Sequence, residues 1–239
     1  MNHIFLAAGI FVSATLSGSI GLGFPLIAGP IFLWIYGPSE ALLLTSVFTL
    51  LSNILTTVFL RRSLEYTIRW QLILPLLIGL PFGFELLTHI ENKSVLRSGF
   101  GALLVVSTAF SLLPWRPTIK GNHSVAEGLL GLFSGVLGGM FAAPAVLPAI
   151  WLTLRGMDKK EMRAILQPLV LIGQVALIFL LVHANAISIA GFEVVGIYAP
   201  ALVLGVLAGI YLFDRVSTGL YTRAIAGLVL ASGMILIFG

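Results

Sequence analysis

Ala14-Thr15-Leu16-Ser17-Gly18-Ser19-Ile20-Gly21-Leu22-Gly23-Phe24-Pro25 is the stretch on which the fold turns. About 14 apolar residues flank it on either side, and 14 residues of helix rise only about 21 Å, short of the roughly 30 Å of a bilayer core. Each glycine weakens a helix by about 1 kcal/mol, whereas Pro25 suits the first turn of a new helix, where a missing N–H costs nothing. The apolar run therefore breaks here, as a broken span or as a re-entrant hairpin. A second stretch is similar: Gly131-Leu132-Phe133-Ser134-Gly135-Val136-Leu137-Gly138-Gly139-Met140-Phe141-Ala142, with Pro144 beyond it. At an offset of 117, Ser17, Gly18, Gly21 and Phe24 fall on Ser134, Gly135, Gly138 and Phe141, an internal repeat.

Composition sets the solvent. Of 239 residues, 59% are hydrophobic and 9% charged, against about 25% charged in soluble domains. Runs such as Ala41 to Leu60, Ile165 to Val182 and Val194 to Phe213 match the roughly 18–20 residues of a membrane-crossing helix. The longest polar connection runs from Trp115 to Ser124. The chain thus reads as one membrane domain, 1–239, with a first repeat over 1–115 and a second over 122–239. The opening segment lacks a charged n-region and a cleavage site, so it reads as part of the mature protein rather than a signal peptide. Without cysteine, disulfides and thiol chemistry are excluded. Thirteen Lys and Arg spread over short connections are what membrane insertion requires, and they do not indicate a nucleic-acid partner.

Charge placement chooses between broken span and hairpin, because Lys and Arg accumulate on the cytoplasmic side. Two broken spans would divide the basic residues five against eight. Two hairpins would collect Arg61, Arg62, Arg69, Arg116, Lys120, Arg155, Lys159, Lys160, Arg163, Arg215 and Arg223 on one side and leave only Lys93 and Arg97 opposite. The second division is the biased one, and it places both termini outside. Each half then holds a hairpin and three crossings, so the halves sit inverted. The expected fold is an all-α integral membrane protein of two inverted repeats, each a re-entrant or broken helical hairpin plus three transmembrane helices. That is the architecture of secondary transporters, which bind substrate where Gly- or Pro-interrupted segments meet.

Candidate binding groups follow from this layout. Helix N-termini beginning near Phe24 and Ala143 would present N–H groups and positive dipole ends to an anion. Gly21, Gly23, Gly138 and Gly139 would let it approach the backbone, or would serve tight helix packing. The span from Ala41 carries Thr45, Ser46, Thr49, Ser52, Asn53 and Thr56 within an arc of about 120°. Its counterpart carries Arg163, Gln167 and Gln174 within about 40°. At an offset of 121, Ser46 and Asn53 match Gln167 and Gln174. These neutral groups suit hydrogen bonding to an oxyanion, or alternatively gluing helices together. Arg163 reads either as a cytoplasmic anchor or as the cation that draws an anion toward Gln167. His3, His89, His123 and His183 are scattered without metal-ligand spacing, so no metal or cofactor is expected. Glu40 reads as a helix-start residue and Glu85 as structural or interfacial; no acid sits clearly at mid-span for proton coupling.

Gly21-Leu22-Gly23 followed by Pro30, and Ser134-Gly135-Val136-Leu137-Gly138-Gly139 followed by Pro144, resemble the duplicated glycine-rich signature of the TauE/SafE sulfite exporter family. Arg155-Gly156-Met157-Asp158 resembles its short basic connection, and the likeness covers nearly the whole chain. The resemblance implies a multi-pass exporter of sulfite, organosulfonates or related small anions in the bacterial cytoplasmic (inner) membrane. Phe24, Pro25, Met140, Phe141 and Ala142 stand where the family often has further glycines.

The expectation is thus an anion transporter with a central site of Ser46, Asn53, Gln167, Gln174, Arg163 and the four glycines. Its partners would be the lipid bilayer and a small sulfur-containing or organic anion, with a homodimer left open. The alternatives are a passive anion channel and a structural or signalling membrane protein. An intramembrane enzyme would need a base beside Ser17 or Ser134, and none is placed there.

Overall fold

The computed structural model describes residues 3–21, 23–61, 65–90, 92–112, 121, 123–186, 189–213, 227, 229–234 and 236–238. Leu22 and the basic residues Arg62, Arg116, Lys120, Arg215 and Arg223 lie outside them. The helices are α1 (His3–Ile20), α2 (Phe24–Ile35), α3 (Pro38–Leu60), α4 (Trp70–His89), α5 (Lys93–Leu112), α6 (Ser124–Phe141), α7 (Val146–Leu154), α8 (Lys159–His183) and α9 (Ile189–Phe213). A further helix, α10, is described at 229–234 and 236–238, and no strand occurs among the described residues.

Pro38–Leu60, Trp70–His89, Ser124–Phe141, Lys159–His183 and Glu193–Leu212 are each long and apolar enough to cross a membrane. Their outward faces agree. On α4, Leu74, Ile78 and Phe82, one turn apart, are 54%, 60% and 61% exposed, while Leu72, Leu76 and Leu80 are buried. An apolar outer stripe over an apolar core is suited to lipid rather than water. The chain is an all-helical, multi-pass membrane protein.

The two glycine-rich stretches end α1 and α6. Gly21 closes α1 at φ +87 with its N–H on the Ser17 carbonyl (2.7 Å), and Ala142 closes α6 at φ +54 with its N–H on the Gly138 carbonyl (2.8 Å). In both cases the next helix runs back along the first. Gly23 packs on Leu16 and Gly9 faces Ile31, so α2 is antiparallel to α1. The Trp151 indole N–H donates to Glu127 Oε1 (3.3 Å) and an Arg155 guanidinium nitrogen to the Gly121 carbonyl (2.8 Å), so α7 returns to where α6 began. The legs are uneven: 18 and 12 residues, then 18 and 9. The sequence had suggested about 14 on each side. The long leg of each pair is about 27 Å.

Each long leg is held against a helix of the other half by a backbone-to-backbone seam. On α6, a Cβ at Gly131, Gly135 or Gly139 would overlap the carbonyl oxygens of Leu72, Leu76 and Leu80 of α4; on α4, Gly79 and Gly83 meet Leu132 and Val136 in the same way. On α9, Gly205 and Gly209 meet the carbonyls of Phe11 and Thr15 of α1. With no hydrophobic drive between helices in lipid, such close approach is what holds them. Residue numbers rise together across both seams, so α4 runs parallel to α6 and α1 to α9. Between α3 and α8 they run oppositely, since Gln167 meets Asn53 (3.0 Å) while Gln174 meets Ala142 (2.9 Å), whose neighbour Phe141 shares a cavity wall with Thr45.

These contacts recur at one spacing along the chain. Phe11 and Leu132, Thr15 and Val136, and the left-handed Gly21 and Ala142, are all 121 residues apart. That spacing is the one that related the polar spans, four residues beyond the 117 read from the glycine motifs. A slip of four is one helical turn, which leaves the same face forward and slides one packing glycine onto the next.

Candidate functional site

The polar residues singled out in the sequence line the junction of α3 and α8. Ser46, Asn53, Gln167 and Gln174 are each 0% exposed, and Arg163 is 2% exposed. Local sequence places them. Pro38 at the first turn and Glu40 beside the positive helix end start α3. A capping box of Asp158 and Glu161 (2.8 and 2.9 Å), after Gly156 at φ +71, starts α8 and sets the depth of Arg163 and the two glutamines.

Arg163 is buried rather than an exposed anchor. Its guanidinium donates to the carbonyls of Gly18 (2.8 Å) and Ser19 (3.1 Å), at the end of α1. A positive charge there satisfies the carbonyls that a helix end leaves over and complements the negative end of its dipole. Gly21 completes this corner, since a Cβ on it would stand 2.8 Å from Gln167 Oε1 and 3.6 Å from Arg163 Cγ. Gln167 Nε2 donates to the Asn53 carbonyl (3.0 Å) and to Thr57 Oγ1 (3.1 Å), which joins Asn53 to the same group.

Gln174 belongs to the other hairpin. Its Nε2 donates to the carbonyl of Ala142 (2.9 Å) at the tip of α6. Arg163 and Gln174 are eleven residues apart on α8, so the two tips lie about 16 Å apart along that helix rather than at one point. Ser46 donates to the Leu42 carbonyl of its own helix (2.7 Å). Of the remaining glycines, Gly139 packs on Leu80 and Phe84 of α4, Gly138 on Leu80 and Pro144, and Gly23 on Leu16. Gly21 alone of the four touches the α8 side chains.

Every amide in the seam turns its –NH2 toward a backbone carbonyl: Asn53 to Thr49 (2.8 Å), Gln167 to Asn53, Gln174 to Ala142. Carbonyls only accept, so the amide orientation is determined, and the side-chain oxygens are what remain. Asn53 Oδ1, Gln167 Oε1 and Gln174 Oε1 are buried without a hydrogen-bond partner, as are the hydroxyls of Thr49, Thr56 and Ser134. Buried polar groups are nearly always paired, and these six atoms lie together on α3, α8 and α6. Ser17, bonded to Ser52 across α1 and α3 (2.6 Å), extends the set.

Glu127 was missed. It is 4% exposed and accepts from Arg69 (2.9 Å) and Trp151, tying α4, α6 and α7 together at one end of the second hairpin. Its signal was an acid one turn inside an apolar run. Glu85, by contrast, is exposed and stands 3.5 Å from His89.

Comparison with known proteins agrees with this architecture. The family model described as Sulfite exporter TauE/SafE matches residues 5–236. Comparisons with curated proteins and with solved structures gave no match. With nearly its whole length matched, the chain belongs to the TauE/SafE sulfite exporter family of membrane transporters.

Proposed function

We propose that this chain exports a small oxyanion, sulfite or an organosulfonate, across the bacterial cytoplasmic membrane along the seam between α3 and α8. The observation that carries the reading is the set of buried, incompletely bonded polar groups on those helices, with a guanidinium at one end, inside a family of anion exporters. Arg163, Gln167, Asn53 and Gly21 receive the anion at the tip of α1; Gln174 and Ser46 serve the far end. In the closed arrangement the donors rest on backbone carbonyls. When the hairpins move relative to α3 and α8, the anion replaces those carbonyls as the acceptor, so binding and conformational change are one exchange.

The halves are inverted in this reading, and the helix directions support it. The antiparallel pairing of α3 with α8, and the parallel pairings of α1 with α9 and α4 with α6, are what a two-fold axis in the membrane plane produces. The eleven basic residues, Arg163 among them, then fall on the cytoplasmic side. Export needs no coupling ion, because a potential negative inside supplies about 2.3 kcal/mol per charge per 100 mV to a departing anion.

The test is flux in proteoliposomes with an imposed potential, offering sulfite, sulfoacetate and simple carboxylates. Potential-sensitive movement of one anion, lost in Gln167→Leu, is expected. Folded protein that moves none of them would refute the proposal.

A further inference from the structure

At the tip of α1, an acceptor and a cation face the same bare side of a glycine. The point where a Cβ on Gly21 would stand is 2.8 Å from Gln167 Oε1 and 3.8 Å from Arg163 Nε. One oxyanion a few ångströms across is wide enough to reach both.

Gln167 cannot turn its amide to offer a hydrogen there. Its Nε2 donates to the Asn53 carbonyl (3.0 Å) and to Thr57 Oγ1 (3.1 Å), and the Thr57 hydroxyl spends its own hydrogen on the same Asn53 carbonyl (2.7 Å). Both amide hydrogens are therefore taken, and a flipped amide would set its oxygen against a carbonyl that only accepts. Oε1 is left buried without a hydrogen-bond partner. A group that satisfies it has to bring a hydrogen.

The cargo is narrowed by this chemistry. A sulfonate or the sulfite dianion offers oxygen lone pairs alone, which oppose Gln167 Oε1. A neutral alcohol supplies the hydrogen but is not favoured by the guanidinium charge. Hydrogensulfite carries one negative charge and one O–H on the same sulfur. We propose that the tip of α1 selects this singly protonated oxyanion, with Gln167 Oε1 accepting its O–H and Arg163 facing its charge. The selection rests on the transport reading above and narrows it to one ionic form of one anion. No amide has to leave its carbonyl to take the hydrogen, so the choice is made before the hairpins move.

The experiment is sulfite flux in proteoliposomes of the full chain, with protein-free vesicles subtracted. Total sulfite and potential are fixed, and the pH, equal on both sides, is stepped across the ionisation that converts hydrogensulfite to sulfite near neutrality. Each pH unit above that ionisation lowers the protonated fraction about tenfold. Wild-type initial rates at low sulfite are expected to fall with it, and one charge is expected to move per sulfur. The pH dependence is the ligand's, since Arg163 stays charged throughout. Methanesulfonate, with the same charge and a methyl in place of the hydroxyl, is expected to move at least about tenfold more slowly, because a site built to receive a hydrogen rejects the analogue lacking it. Gln167→Lys, which keeps donors toward Asn53 and has no acceptor, erases both preferences; if it does not fold or moves nothing, the wild-type measurements decide alone. Flux that holds level or rises with pH, two charges per sulfur, methanesulfonate moved as fast as sulfite, or both preferences surviving in Gln167→Lys overturns the selection and leaves anion transport standing. Folded protein that moves no anion overturns both.

Discussion

Replacing Arg163 by methionine tests both what holds the α1 tip and what binds the anion. Methionine keeps much of the side-chain volume, so the change removes the guanidinium's polar contacts, the bonds to Gly18 and Ser19 (2.8 and 3.1 Å) among them. In membrane proteins side-chain hydrogen bonds average about 0.6 kcal/mol. Bonds from charged donors reach about 1.5–3 kcal/mol each. Two bonds therefore bracket the loss between about 1 and 6 kcal/mol. The charged donor favours the upper part of that range, and relief from burying a charge lowers it. We expect a loss of about 3 kcal/mol, measured by reversible unfolding in mixed micelles. Arg163→Lys, which keeps the charge but loses the planar fork, should lose less and should retain some flux, whereas Arg163→Met should retain none. Stability of Arg163→Met within about 0.5 kcal/mol of wild type, with normal flux, would refute both the assignment at the tip and the role in anion binding.

Other expectations follow from the same contacts. Gly135→Ala should destabilise by about 1–3 kcal/mol because its Cβ would overlap the Leu76 carbonyl; Gly128→Ala on the same helix, where a Cβ meets nothing within 4 Å, should be neutral or stabilising by up to about 1 kcal/mol. Equal effects in the unfolding assay would dismiss the seam. Gly21→Ala should cost about 1–2 kcal/mol from its left-handed backbone alone, and it should reduce flux further by displacing Gln167 Oε1; a fully active, fully stable variant would remove that corner from the site. The chain has no cysteine, so single thiols report sidedness directly. An impermeant reagent applied to intact cells should label Asn92→Cys and spare Gly156→Cys, and the reverse pattern would invert the orientation.

Much of the fold was legible because bilayer physics leaves few choices. Runs of apolar residues long enough to cross, and glycine clusters that break two of them, required neither tertiary contacts nor ligands to be read. The division of basic residues favoured hairpins, and the return of α7 to Gly121 matches that geometry. The lengths of the legs were not legible, since Phe24 and Val146 start their helices through backbone geometry after left-handed residues. At Ala142 that geometry carries no glycine to announce it. The glycine motifs align at 117 while the contacts recur at 121 for a related reason: Gly131, Gly135 and Gly139 recur every turn because each faces α4, so glycine identity alone cannot tell one turn from the next.

The candidate site could be proposed from its residues but not in its arrangement. Hydrogen-bonding side chains on one face of an apolar helix avoid lipid, which is why Asn53, Gln167 and Gln174 could be chosen from spacing. Which way an amide points depends on the carbonyl it meets, and those carbonyls belong to Thr49 on the same helix, to Asn53 across the seam and to Ala142 at the tip of another hairpin. The outcome reverses the simplest chemical reading, because the amides expose acceptors where donors had been expected. In the proposed transport, a seam that shows oxygens here and must show N–H groups to hold an anion has to move its backbone partners. Here one partner, Ala142, sits at the tip of α6, and α6 is held to α4 by a glycine seam. The same contacts that pack the protein thus determine what would have to slide for an anion to pass.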